Sequence, residues 1–259
     1  MVVDLHNHTK LCNHAEGEIF EYIEKAIECG TKYFGFSEHA PMDFDQKYRL
    51  RFEQMNEYET AILKAKEKYK EKIEVLLGYE VDYLQAYMDN RVLNADVDYL
   101  IGSVHFIDEW GFDNPEFIGN YANQNIDEIW QKYFDAIEDM ANSRLFDIVG
   151  HLDLIKVFKF MPKRSINEIA KNALLAIKEA GMSLEVNAAG LRKPIGELYP
   201  SLSLLKEAKK LDISITFGSD AHKPEQVGLY ENEITNMVKS VGYKECVFYL
   251  KRKREFINL

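Results

Sequence analysis

The chain reads as an α/β protein with a parallel sheet, and three observations predict that class. Seven short apolar runs alternate with segments of helical periodicity over 259 residues, with one more strand-like run at the end. Such alternation builds parallel sheets from strand–helix units. Runs such as Tyr99-Leu100-Ile101-Gly102-Ser103-Val104 are apolar almost throughout, as in strands covered on both faces. No Pro/Gly/Ser-rich linker, repeat or low-complexity tract divides the chain. A chain of this length makes one large α/β barrel or two small domains, and the absence of a linker favours a single domain over residues 1–259.

The elements follow in order. Val2–Leu5 is the first strand, and Glu18–Cys29 is an amphipathic helix ending at Gly30. Tyr33–Phe36 is a strand. Past Pro41, Phe52–Tyr69 carries apolar residues every three to four positions and reads as a long charged helix. Ile73–Tyr79 is a strand, a short helix lies near Ala86–Leu93, and Tyr99–Val104 is the next strand. Gln124–Ala141 is a helix and Phe146–Val149 a strand. Ile166–Ala180 is a helix closed by Gly181, followed by the strand Met182–Val186. Leu202–Lys210 is a helix, Ile213–Phe217 a strand, Glu231–Val241 a helix, and a last strand lies near Val247–Tyr249.

Composition narrows the partners. The net charge of −11 disfavours long nucleic acid, because phosphate-backbone binding rests on Lys and Arg. A small phosphorylated substrate remains open where bound metals supply local positive charge. No apolar run reaches the length of a membrane span, and the start, Met1-Val2-Val3-Asp4, has no signal-peptide pattern. Three scattered cysteines suggest a reducing compartment, and a cytoplasmic location is expected.

The seven histidines carry the functional signal. His6 and His8 lie in Asp4-Leu5-His6-Asn7-His8, and His14 follows. His39, His105, His151 and His222 each stand at or just past the carboxyl end of an apolar run. In parallel barrels the active site lies at those ends. A strand's period of two puts Asp4, His6 and His8 on one side. Glu80 ends a strand, and Asp220 and His222 are again two apart. The candidate ligands are therefore His6, His8, His14, His39, Glu80, His105, His151, Asp220 and His222. Zinc takes about four ligands, so this set calls for two or three ions with a bridging carboxylate. Taken singly, His39 or His105 is as well read as a satisfied interior histidine, and Glu80 as a surface carboxylate. The joint pattern argues for metal. Glu38 and Asp153 flank ligands, and read either as partners orienting imidazoles or as solvated acids. Cys12 is read as packing. Lys251-Arg252-Lys253-Arg254 reads as a surface tail, with phosphate binding as the weaker alternative.

These residues resemble the PHP family, named for polymerase and histidinol phosphatase. The resemblance rests on Asp4-Leu5-His6-Asn7-His8-Thr9 with His14, Ser37-Glu38-His39, Gly102-Ser103-Val104-His105 and Gly218-Ser219-Asp220-Ala221-His222, and runs from Asp4 to about Gly228. Leu11–Gly17, His39–Met42, Gly150-His151-Leu152-Asp153 and Asn187–Lys193 are similar to the histidinol-phosphatase branch. The resemblance implies a distorted seven-stranded (β/α) TIM-like barrel with a site for up to three ions. It implies that His6, His8, Glu80 and Asp220 hold one ion. Glu80 would bridge to a second, held also by His105 and His151, and His14, His39 and His222 would hold the third.

The expected activity is metal-dependent hydrolysis of L-histidinol phosphate to L-histidinol and phosphate, in histidine biosynthesis. Zinc, manganese or iron suits such ligands, and would lower the pKa of bound water towards about 7. Glu80 and Asp220 are the expected catalytic ligands, and Asp220 is also a candidate to handle protons. Arg192, in a loop after a strand, is the expected phosphate contact, since its fork suits phosphate oxygens. Lys156 is a weaker second contact. For both, a surface salt bridge is the bland alternative. Two rivals stand beside this reading: a PHP phosphoesterase for nucleotides or other small phosphates, and a non-catalytic metal-storage module.

Overall fold

The structure, a computed structural model, describes residues 1–122 and 124–259. Its strands in chain order are β1 (Val3–Asp4), β2 (Tyr33–His39), β3 (Glu74–Asp82), β4 (Tyr99–Ser103), β5 (Phe106–Ile107), β6 (Trp110–Gly111), β7 (Ile148–Val149), β8 (Ser183–Asn187), β9 (Ile215–Gly218), β10 (Glu245–Leu250) and β11 (Lys253–Asn258). The helices are α1 (Ile19–Glu28), α2 (Met55–Tyr69), α3 (Asn90–Leu93), α4 (Ile126–Ser143), α5 (Ile166–Ile169), α6 (Lys171–Ala180), α7 (Leu202–Lys210) and α8 (Glu231–Val241). Seven strands form one parallel sheet in the order β1-β2-β3-β4-β7-β8-β9. Its two edges meet: Leu5 N donates to Phe217 O at 2.8 Å, Asp220 N to His6 O at 2.7 Å and His8 N to Ala221 O at 3.0 Å. The fold is thus a nearly closed seven-stranded (β/α) barrel, as expected.

Period-two alternation sorts the side chains. Along β3, Val75, Leu77 and Tyr79 pack with Phe34, Phe36 and helix residues such as Tyr22, Tyr58 and Ile62. Leu76 belongs to a second cluster with Val3, Leu5, Tyr99, Ile101 and Ile148. Gly78, Glu80 and Asp82 follow on the same face as Leu76. Tyr99 fills the barrel beneath the site, donating to Leu5 O at 2.6 Å. A Cβ at Gly35 or Gly78 would collide with its ring, so these two glycines make room for the plug.

Several boundaries differ from expectation. β2 and β3 run three residues further, carrying His39, Glu80 and Asp82 inside strands. The helix expected over Ala86–Leu93 is a 3-10 turn at Gln85–Tyr87 followed by α3. The Ile166–Ala180 helix is split at Ala170 into α5 and α6. The hairpin β5–β6 and the 3-10 helix Pro115–Tyr121 were not anticipated. The terminal strand is one arm of the antiparallel hairpin β10–β11.

That hairpin corrects the reading of the basic run. Lys251 and Arg252 form its turn, with positive φ at both. Lys251 N donates to Asp98 Oδ1 at 3.1 Å, Arg252 pairs with Asp147, and Tyr249 Oη donates to Asp147 O at 2.9 Å. Asp98 and Asp147 precede β4 and β7, so the hairpin covers the amino-terminal end of the barrel, away from the histidines. Arg252 and Arg254 serve tertiary packing there. No helix among the described residues is long and apolar enough to cross a membrane.

Candidate metal centre

The nine expected ligands converge at the carboxyl-terminal rim. His6 and His8 follow β1, and His39 ends β2 beside Glu80 in register. His105 follows β4, His151 follows β7, and Asp220 and His222 follow β9. Asp220 holds a left-handed backbone at φ 50°, a conformation an L-residue other than glycine adopts at a cost. Gly218 is required beside it, because a Cβ there would collide with the Glu185 carboxylate and the His6 side chain.

Glu80 is the hub. It is 1 % exposed, and five imidazoles face it. Its Oε2 lies 2.9 Å from His39 Nδ1, 3.3 Å from His6 Nε2 and 3.7 Å from His8 Nε2. Its Oε1 lies 2.9 Å from His151 Nε2 and 3.6 Å from His105 Nε2, and accepts from Ser103 Oγ at 2.8 Å. Asp220 Oδ1 lies 3.3 Å from His8 Nε2 and 3.5 Å from His222 Nδ1.

The residues fit divalent ions. Within the protein, His6 Nε2, His8 Nε2, His222 Nε2, His151 Nδ1 and Glu80 Oε2 are buried without a hydrogen-bond partner. Orphaned buried polar atoms are costly, and five of them in one cluster are explained by cations. Donors around a tetrahedral zinc, with bonds of about 2.0–2.1 Å, stand about 3.4 Å apart, close to the separations above. One group, Glu80, His105 and His151, has the members expected for the second site, and another, His6, His8 and Glu80, has three of the four expected for the first, without Asp220. The third grouping differs. His39 and His222 group with His8, and His14 and His222 with Cys12. His14 is the exposed member, its ring 4.5 Å from that of His222 and 5.3 Å from that of His39. Burial pushes the Cys12 thiol up, and its Sγ donates to Thr9 O, in line with packing.

Carboxylates behind the imidazoles set their orientation. His6 Nδ1 donates to Glu185 Oε1 at 2.7 Å, His105 Nδ1 to Asp82 Oδ1 at 2.6 Å and His8 Nδ1 to Glu38 Oε1 at 3.3 Å. Each bond leaves Nε2 directed at the cluster. Of the two flanking acids singled out in the sequence, Glu38 is fully buried and plays this part. Asp153 instead binds Ser201 N and Lys156. Glu185 and Asp82 went unnoticed, although a lone carboxylate inside an apolar strand is a signal where both sheet faces are covered.

The electrostatics follow. Burial alone would depress the imidazoles, but Asp220 and Glu38 raise His8 to about 9, and Asp82 and Glu80 raise His105 to about 10. Burial and the neighbouring His8 charge lower His39 to about 4. Glu80 resists its burial and stays well below the usual carboxylate range because His6, His39 and His105 surround it. Asp220 is likewise held well below the usual range despite its burial, by His6, His8 and His222, so both candidate ligand carboxylates are ionised.

Arg192 lines the cleft above the cluster. Its Nη2 donates to the carbonyls of Ser219 and Asp220, both at 2.8 Å, and its Nη1 has no partner within the protein. Lys193 lines the same cleft and was not singled out. Lys156 is corrected. It is 1 % exposed, and its Nζ meets Asp153, Glu197 and Leu198 O at 3.1, 3.2 and 2.8 Å. Three partners use its three donors, so it holds the 197–201 loop rather than a substrate.

The PHP domain model matches residues 4–189, and a PHP-associated model matches 205–241. The chain belongs to the PHP family. Within the curated proteins, this PHP chain is 35 % identical to a Deinococcus radiodurans protein named "Probable histidinol-phosphatase", covering 95 % of both. It is 31 % identical to the histidinol-phosphatase of Bacillus subtilis, covering 87 % of this chain and 95 % of that one. Its fold matches the histidinol phosphate phosphatase of Lactococcus lactis with a TM-score of 0.82 at 24 % identity, covering 98 % of each chain. That structure is a complex with zinc, L-histidinol and phosphate.

Proposed function

We propose that this PHP chain is a metal-dependent phosphomonoesterase that hydrolyses L-histidinol phosphate to L-histidinol and phosphate. The observation that carries the hydrolytic reading is the convergence of five imidazoles on one buried carboxylate, with His6 Nε2 and His8 Nε2 buried there without a hydrogen-bond partner. The histidinol-phosphatase name of relatives matched over nearly their whole length supports the substrate. In our reading residues 1–259 act as one unit, because the β10–β11 hairpin packs into the cluster formed by barrel strands. The free thiols of Cys12, Cys29 and Cys246 support a cytoplasmic location.

His6, His8, Glu80 and Asp220 would hold one ion, with Glu80 shared by a second that His105 and His151 complete. His39, His222 and the exposed His14 would serve a third, so two to three zinc, manganese or iron ions are expected. Bound ions would supply Lewis acidity here, which lowers the pKa of water and neutralises phosphate charge. The chain supplies the rest. Glu185, Asp82 and Glu38 fix the imidazole tautomers. Arg192, anchored by two carbonyls, keeps Nη1 for a phosphate oxygen, and Lys193 adds a second cation at the rim. In the balanced reaction a water oxygen bonds phosphorus, the ester P–O bond breaks, and a proton ends on the departing alkoxide. The test is phosphate release from L-histidinol phosphate against a panel of nucleoside monophosphates and other small phosphate esters, with zinc or manganese added. A preference for histidinol phosphate is expected. A preference for nucleotides, or no turnover of any ester, overturns the assignment.

A further inference from the structure

We propose that the Asp113 carboxylate, at the junction of the metal-lined cleft and an aromatic cavity, selects phosphate esters that carry a cationic amine. The inference rests on the histidinol-phosphatase reading and assigns the part of the substrate that the metal cluster does not contact.

The cleft over the cluster has a volume of about 360 Å³, and a second cavity of about 450 Å³ adjoins it. The two share His14, His39, His105 and Asp113. Beyond that neck the second cavity is walled by Phe44, Tyr48, Phe106 and Phe117. The Phe44 ring stands 5.2 Å from Phe106, edge to face, and is stacked 4.8 Å from Tyr87. Phe44 and Tyr48 come from the segment after β2, and Phe106 and Phe117 from the segment after β4, namely the β5–β6 hairpin and the 3-10 helix Pro115–Tyr121, with Asp113 between them.

Four carboxylates face this cavity, and three are engaged. Asp82 is paired with Arg49 at 2.9 Å and with His105 at 2.6 Å. Glu109 accepts from Tyr87 Oη at 2.6 Å, and Asp45 faces Arg49 at 3.8 Å. Asp113 makes no side-chain hydrogen bond or ion pair among the described residues; the charges that reach it are His105, Lys193, Asp82 and His151. A half-buried carboxylate beside a phosphate site works against anion binding unless the ligand brings a cation to it.

The order of groups along an amino-alcohol phosphate matches the order of the walls. The phosphate belongs at the metals and Arg192. The carbon bearing the ammonium is one bond beyond the ester CH2, which places the cation at the neck. The imidazole, one carbon further, enters a cavity of aromatic rings, where flat rings stack favourably. Asp113 then forms a charge-assisted hydrogen bond with the ammonium.

The experiment compares wild type, Asp113→Asn and Asp113→Glu on L-histidinol phosphate and p-nitrophenyl phosphate, and measures inhibition by L-histidinol. In Asp113→Asn the ratio of kcat/KM for histidinol phosphate to that for the aryl ester falls roughly 10- to 100-fold. The fall lies mainly in KM, L-histidinol inhibits correspondingly less well, and Asp113→Glu recovers part of the ratio. An equal fall in kcat on both esters assigns Asp113 to the leaving oxygen or to the cleft's structure and overturns the proposal. So does an unchanged ratio in Asp113→Asn when wild type prefers histidinol phosphate; the histidinol-phosphatase reading then survives. A wild type without that preference overturns both.

Discussion

Replacing Glu185 by Gln tests how the ligands are held. Glu185 is 1 % exposed and accepts from His6 Nδ1 at 2.7 Å through Oε1. Through Oε2 it accepts from His151 N at 2.8 Å and from Asn187 Nδ2 at 3.1 Å. Glutamine keeps the shape, but one end becomes a donor. With its oxygen toward His6, its NH2 confronts the His151 and Asn187 donors. With its NH2 toward His6, the imidazole must move its proton to Nε2, the atom facing Glu80. Either arrangement loses a charge-assisted hydrogen bond, worth about 1.5–3 kcal/mol. That is roughly a tenfold to hundredfold loss of metal affinity, in line with the usual cost of removing an imidazole's carboxylate partner. Competition with a chromophoric chelator at neutral pH measures it, and kcat recovers part of its value when metal is raised to saturation. Affinity within twofold of wild type would refute the argument that Glu185 sets the His6 tautomer.

Other outcomes follow from the same geometry. Arg192→Ala is expected to lower kcat/KM by roughly thirtyfold to two-hundredfold, a charge-assisted contact of about 2–3 kcal/mol, and Arg192→Lys to recover only part; an unchanged kcat/KM makes Arg192 a bystander. His8 and His105 are raised from 6.5 to about 9 and about 10, so their protons stabilise the metal-free fold fully below pH 6.5, and that contribution disappears as pH rises through those values. Ligation must displace these protons, so calorimetry in buffers of different ionisation heat should show proton release at pH 7 and tighter binding towards pH 9; pH-independent affinity contradicts this. Arg252→Ala removes a partly buried pair with Asp147 and a bond to Leu145 O, at about 1–2 kcal/mol, or a Tm fall of roughly 2–8 °C. Its kcat/KM should not move, since the hairpin covers the opposite end of the barrel, and an unchanged Tm contradicts the packing role.

The ligands were legible because a parallel barrel gathers strand ends at one rim, so His39, Glu80 and His151 could be placed together without contacts. The groups behind them were harder to read. Glu185 lies 179 residues from His6, and no periodicity links the two. Asp82 had a visible clue, two residues past Glu80 on the same strand face, but the strand was expected to stop at Tyr79. Loop geometry is not periodic, which is why the grouping around His14 differs and why the Asp113 segment was missed. Lys156 was misjudged because a lysine near a rim reads as solvated, whereas Asp153 and Glu197 permit its burial. The run Lys251–Arg254 looked like a tail because a hairpin's polar turn and a solvated terminus share one composition.

The central claim is that the histidine and carboxylate cluster is a catalytic metal centre for phosphate-ester hydrolysis. Its most direct test is stepwise reloading of chelator-stripped protein with zinc or manganese, measuring bound ions and phosphate release from L-histidinol phosphate on the same sample. The account predicts an inactive stripped protein, binding of two to three equivalents per chain, and activity that returns as those sites fill. Full activity in the stripped protein, or fewer than one equivalent bound with no gain in rate, would contradict it.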